Sequence, residues 1–273
     1  MDAAAALDAL RGELDREALA MPLLPGVAAE VIASSVDEHS DAARLAELIR
    51  QDQSLASHVL RIVNSPAFRG ASEIVALQQA IARLGMPRVR EIALSASLKG
   101  ALLADGPYQS LADAAWRRSL AAALWSREVA RSARRNVEIA YLCGLLHDLG
   151  TPLLLHALGR IAPGLAEADV ASITGSLGPC AGARLARAWA LPEAVVATVE
   201  HLDDPDRAGG HASSVLVASA GVALARLAAE GEIDPQAAFD LPWLVRLNLY
   251  PEDVDALVQQ QQAIRDVLDA MVV

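Results

Sequence analysis

The chain has 273 residues, 53% of them hydrophobic, 21% charged and only 3% aromatic. Much of the apolar excess is alanine, which excludes a disordered or low-complexity chain and argues against an aromatic-rich β-sandwich. Lys and Arg number 23 against 34 Asp and Glu, a formal charge of −11. Nucleic-acid binding through a broad basic face is therefore disfavoured, because phosphate neutralisation needs clustered cations.

In chain order, Met1-Asp2-Ala3-Ala4 lacks the basic region of a secretory signal, and no uninterrupted apolar run approaches about 18 residues. No membrane insertion and a cytoplasmic location are expected. Breakers at Met21–Gly26 close an N-terminal helical extension, residues 1–22. Leu55, Val59, Ile62 and Val63 then form one apolar stripe, with Asp52 as its N-cap. Asn64-Ser65-Pro66 ends that helix, asparagine being able to take a left-handed conformation, and this polar turn is a candidate partner-binding loop. Ile74, Leu77, Ile81 and Leu84 form the next stripe, with Gly85 able to end it. Ala104-Asp105-Gly106-Pro107 is the clearest punctuation near the middle and sets a lobe boundary near residue 106.

Arg127, Arg131, Arg134 and Arg135 crowd one stretch, which reads as a solvated helix face. Gly175–Pro179 and Leu202–Gly210 read as further breaks. Asp234-Pro235 caps and opens a helix. Tyr250-Pro251-Glu252-Asp253 opens a last helix over 252–271, with Gln259–Gln262 on its exposed face. Cys143 and Cys180 are expected to be buried free thiols. With no sustained period-two alternation and no Asn-Gly or Asp-Gly hairpin turn, the pattern predicts an all-α chain of about a dozen helices.

The residues richest in chemistry are His147 and Asp148, delivered by the apolar run Tyr141-Leu142-Cys143-Gly144-Leu145-Leu146 and followed by Leu149-Gly150. A ring nitrogen and a carboxylate at a helix end suit a divalent transition metal, although the same dipeptide also serves as a hydrogen-bonded core pair. His201 and Asp203 are weaker candidates for a cation, since carboxylates in loops are usually hydrated. His39, His58 and His211 have no partner at ligand spacing. Gly-x-Ser-x-Gly, Gly-x-Gly-x-x-Gly and Walker motifs are absent.

Gly144-Leu145-Leu146-His147-Asp148-Leu149-Gly150 resembles the signature of the HD superfamily of metal-dependent phosphohydrolases. The wider pattern is similar to one branch, the HD-related output domain, HDOD. Leu23-Leu24-Pro25 with Val27, Leu48 through Leu55, Asn64-Ser65-Pro66-Ala67-Phe68, Ala80 through Gly85, Trp116-Arg117-Arg118-Ser119-Leu120 and Trp189-Ala190-Leu191-Pro192 stand in that branch's order, over roughly residues 20–225. The departure is Gln53, where proline is usual. The resemblance implies a two-lobed helical domain, an N-terminal bundle packed on an HD-like lobe. The implied layout is a domain over 23–225, with lobes of about 23–105 and 107–225, and C-terminal helices over 226–273.

The resemblance also implies where catalytic relatives place metal ligands. The early histidine position is Arg118, a later one is Gly178, the late aspartate position falls near Ala220-Gly221, and a frequent His-His pair reads Glu200-His201-Leu202-Asp203. Thr151 stands where a lysine often follows the glycine. A catalytic metal needs about three protein ligands and an open position, and only His147 and Asp148 remain. At about 4 Å and an effective dielectric near 20, a unit charge pair is worth about 4 kcal/mol, and a guanidinium against a divalent ion costs roughly twice that. Arg118 is therefore expected to replace the metal as the salt-bridge partner of Asp148. No catalytic residue, no cofactor and no metal are expected.

The implied function is a non-enzymatic bacterial signal-transduction module that binds a regulatory protein partner. One alternative is an HD-type phosphohydrolase or cyclic-dinucleotide phosphodiesterase, for which His147, Asp148, His201 and Asp203 must converge on a metal. The other is a nucleotide sensor without cleavage, its phosphate held by Arg118 or Arg117.

Overall fold

Side-chain caps written into the sequence set where several helices begin. In the computed structural model, which describes residues 1–34, 42–68, 70, 72–103 and 106–272, Asp2 caps α1 (Ala3–Asp15) by accepting from the Ala5 N–H at 2.8 Å. Asp52 caps α4 (Gln53–Val63) by accepting from the Leu55 N–H at 2.9 Å. Asn136 does the same for α8 (Val137–Leu146) at 3.0 Å, and Asp234 for the short α13 (Pro235–Phe239) at 3.2 Å. Each cap satisfies an N–H that the helix itself leaves without a partner. Among the described residues there are helices and no strands, and the chain is all-α.

Two lobes form around these caps. In the first, α2 (Gly26–Ser34), α3 (Ala42–Gln51), α4, α5 (Leu77–Leu84) and α6 (Met86–Leu102) pack on one another. The second contains α7 (Gln109–Ser132), α8, α9 (Gly150–Ile161), α10 (Glu167–Ala188), α11 (Glu193–His201), a 3₁₀ segment over Pro205–His211, and α12 (Ala212–Glu230). The 24-residue α7 is the spine, with α8 and α12 laid against it. Glycine permits the close approach: a Cβ on Gly144 would lie 2.7 Å from the Ala122 carbonyl oxygen, and one on Gly221 2.1 Å from Ser126 Oγ. The stretch Pro205–Glu230 is long and apolar enough to span a membrane, but Val215, Val217, Ala218, Ala220 and Leu224 are buried in the core, where α12 packs on α7 and α8.

The flanking segments belong to the same body. Leu10 and Leu14 of α1 are buried where α1 crosses α9 and α10. After α13, α14 (Pro242–Arg246) and α15 (Pro251–Val258), α16 (Gln261–Val272) lies on both α6 and α7, burying Ile264, Leu268 and Met271. Lys99 Nζ donates to the Val272 carbonyl at 2.7 Å, and Arg117 pairs with Asp269 at 2.6 Å.

Five local expectations are corrected. Ile74 is buried ahead of α5 rather than in it, because Asn64 accepts from the Ile74 N–H at 2.8 Å and donates to its carbonyl at 2.7 Å. Asn64 itself is right-handed, at φ −90° and ψ 0°. Gly175–Pro179 does not break α10; Pro179 and Gly175 are exposed, so the carbonyl freed by the proline faces water. The last helix is interrupted at Gln259 and Gln260, and Gln261 is buried, accepting from the Ile233 N–H at 2.9 Å and donating to the Gly231 carbonyl at 2.6 Å. Cys143 is buried and free as expected, whereas Cys180 is exposed. His39 and residues 104–105, beside the expected lobe boundary, lie outside the described residues.

Candidate functional site

The His-Asp pair sits where α8 ends against the spine. His147 Nδ1 donates to the Gly144 carbonyl at 2.8 Å, which fixes the ring and leaves the Nε2 lone pair open. Burial holds the imidazole below its ordinary value. The Arg226 and Arg118 charges act in the same direction, against Asp148 and the Gly144 carbonyl. A neutral ring with an open lone pair is the form that ligates metal. Asp148 Oδ1 accepts from Thr151 Oγ1 at 2.6 Å, so threonine, at the position where catalytic relatives often carry lysine, orients the carboxylate.

Opposite the pair, α9 meets α10 backbone to backbone. A Cβ on Gly150 would lie 1.9 Å from the Gly178 carbonyl oxygen, and one on Gly182 2.9 Å from the Gly150 nitrogen. A Cβ on Gly178 would meet only Thr151 Oγ1, at 4.0 Å. A side chain at position 178 would thus point toward the Thr151 hydroxyl, and glycine supplies none.

The expected Arg118–Asp148 salt bridge is not formed. Arg118 is exposed, and among the described residues neither it nor Arg226 makes an ion pair with a carboxylate. Arg118 follows Trp116 on α7 but leaves the core face that Ser119 and Leu120 fill, so its charge reaches His147 without contacting Asp148. His201 is half-buried at the end of α11 and Asp203 is exposed in the following turn. Among the described residues no three His, Cys, Asp or Glu side chains converge as a metal-binding group. At the late aspartate position, α12 presents buried Ala220, with Gly221 against Ser126. In the candidate partner loop, Asn64 is committed to Ile74 and to the Leu60 carbonyl, Ser65 is half-buried, and only Pro66 is exposed.

A second constellation lies between the lobes. Glu91 of α6 is held by Arg88 at 2.8 Å and by Arg127 of α7 at 2.7 Å. Arg127 also grips Glu128 at 2.8 Å, and Glu128 pairs in turn with Arg131. Arg127 is only 3% exposed, which corrects its expected place on a solvated face; Arg131, Arg134 and Arg135 are exposed as expected. The local signal was Arg127-Glu128 set between Trp125 and Val129, both buried, in an apolar run. Its partner Glu91 is 36 residues away, beyond the reach of periodicity.

Burial pushes the Glu91 carboxyl up to about 7; Arg88 and Arg131 oppose the rise, while Glu128 and Glu138 add to it. The acid holds its proton more tightly folded than unfolded. Its stabilising contribution is therefore full below about 4.5 and is lost as the pH rises through about 7. Glu91→Gln has no such proton to lose. The stability of the wild type relative to this variant is expected to fall by about 2 kcal/mol between about pH 5 and about pH 8, read from urea melts. A pH-independent difference would reject the assignment.

The HDOD domain family's profile matches residues 21–205. The chain is similar to the structure of a provisionally assigned metal-dependent phosphohydrolase from Shewanella amazonensis SB2B, at 21% identity and a TM-score of 0.73, covering 97% of this chain and 99% of that one. It is also similar to a provisionally assigned signal transduction protein from Marinobacter aquaeolei VT8, at 23% identity and a TM-score of 0.65, covering 98% of this chain and 66% of that one. An uncharacterized protein of Treponema pallidum (strain Nichols) is 25% identical over 192 residues, 66% of this chain, which spans only 37% of that relative's length. These likenesses bear on the fold, and the profile match runs from the residue before Pro22 through the His-Asp pair to the turn after α11: the chain belongs to the HDOD domain family.

Proposed function

We propose that this chain is a non-catalytic signal-transduction module of the cytoplasm, acting by binding a regulatory protein partner. One observation carries the reading: among the described residues no third His, Cys, Asp or Glu side chain joins His147 and Asp148 as a metal-binding group, and the α10 residue next to Thr151 is Gly178. Two donors fall short of the three that a hydrolytic metal centre needs. Family membership and the likeness to a protein assigned to signal transduction support the regulatory role. The acidic net charge of −11 favours a partner with a basic face and an association rate that falls with salt.

The test is direct. The purified chain, titrated with manganese, iron(II) or zinc and then desalted, is expected to retain far less than one metal per chain. With any of these metals, hydrolysis of bis(p-nitrophenyl) phosphate and of a cyclic dinucleotide is expected to equal that of the His147→Ala variant. Stoichiometric retention together with turnover that His147→Ala abolishes would overturn the proposal and favour the phosphohydrolase reading.

A further inference from the structure

Where α2 and α6 of the first lobe meet α7 and α8 of the second, the structure forms a half-open cavity of about 220 Å³. Val31, Leu84, Leu94 and Leu142 supply apolar wall, while Arg88, Arg90, Arg127 and Arg131 bring four guanidinium groups to its lining. One line of ion pairs runs from Arg88 through Glu91, Arg127 and Glu128 to Arg131. It sets three cations against two carboxylates. The neighbouring Arg90–Glu138 pair, at 3.5 Å, is neutral in sum.

The charges are built in rather than scattered. Arg127 is nearly inaccessible and spends its Nε and both terminal nitrogens on Glu91 and Glu128. Arg88 and Arg131 each engage a single carboxylate, leaving most of their donors open. A guanidinium with open donors beside an uncompensated positive charge selects an anion with several acceptor oxygens, and phosphate fits that geometry. The volume lies below the roughly 300–1,000 Å³ of drug-sized sites, so the cavity takes the phosphate and the part of the molecule next to it, and a larger organic part such as a nucleoside extends through the open side.

We propose that this interlobe cavity binds a small phosphorylated organic molecule, its phosphate on the guanidinium groups led by Arg131 and its organic part on the Val31–Leu84–Leu94 wall. The inference rests on the reading of the chain as a binding module and supplies that module with an input. The ligand touches both lobes, so its affinity depends on how they are set against each other, and occupancy biases the lobe arrangement that a protein partner meets.

The experiment is isothermal titration of the full chain with AMP, GMP, glucose 6-phosphate, inorganic phosphate and, as the uncharged comparator, adenosine. At least one phosphate monoester is expected to bind at one site with Kd below about 1 mM. Arg131→Ala, an exposed position whose fold is checked by its thermal midpoint, is expected to weaken that binding at least about tenfold, a cost of about 1.4 kcal/mol. Arg118→Ala is expected to bind like the wild type. Absence of saturable binding by every phosphate probe, equal binding by Arg131→Ala, adenosine binding as tightly as AMP, or a loss confined to Arg118→Ala would each overturn the cavity assignment. Metal-dependent hydrolysis of a probe would instead overturn the non-catalytic reading while leaving the cavity assignment standing, so the two failures are distinguishable.

Discussion

Arg127→Met is expected to destabilise the fold by about 3–5 kcal/mol, measured as a fall in the urea midpoint at unchanged slope. Arg127 joins α6 to α7 by holding Glu91 and Glu128 together, and it does so almost wholly out of water. Methionine fills similar volume but leaves two largely buried acids without their shared cation, each then either charged and poorly compensated or forced to take up a proton. The loss therefore reports the stranded acids rather than the intrinsic worth of the ion pairs. A triple variant, Arg127→Met with Glu91→Leu and Glu128→Met, removes the desolvated charges along with their partner and is expected to regain most of the stability. If the triple variant were as unstable as the single one, packing rather than charge would be the cause.

Gly150→Ala carries the second large effect, a loss of about 3 kcal/mol by the same melts. The added methyl would sit 1.9 Å from the Gly178 carbonyl oxygen, 2.6 Å from its carbonyl carbon and 2.7 Å from its Cα. All three are backbone atoms of a 22-residue helix, so relief requires α9 and α10 to move apart rather than a side chain to rotate. Gly100→Ala is the control. It lies inside α6 on an exposed position, and a Cβ there meets nothing within 4 Å. That variant is expected to gain about 0.5–1 kcal/mol from reduced freedom of the unfolded chain.

What the sequence could show followed from how local each feature is. The Asp52 cap and the buried stripe Leu55, Val59, Ile62 and Val63 are decided within one or two turns, and both are present. The His-Asp pair was legible because its apolar helix and closing glycine are contiguous. Features settled by distant partners were not. Gln261 looks like one of four interchangeable surface glutamines until Ile233 and Gly231, about thirty residues earlier, offer it a donor and an acceptor. Arg118 and Arg127 are nine residues apart on one helix, yet only Arg127 turns toward a carboxylate from another element. Charge identity was readable in both; the direction of each side chain belongs to the packing of α6, α7 and α8.

The placement of α16 has a mechanical consequence. It is fastened to α6 through Lys99 and to α7 through Arg117, one helix from each lobe, so it bridges the two. Any swivel of one half against the other must shear α16 or carry it along. The helix thus works as a brace laid across the two lobes.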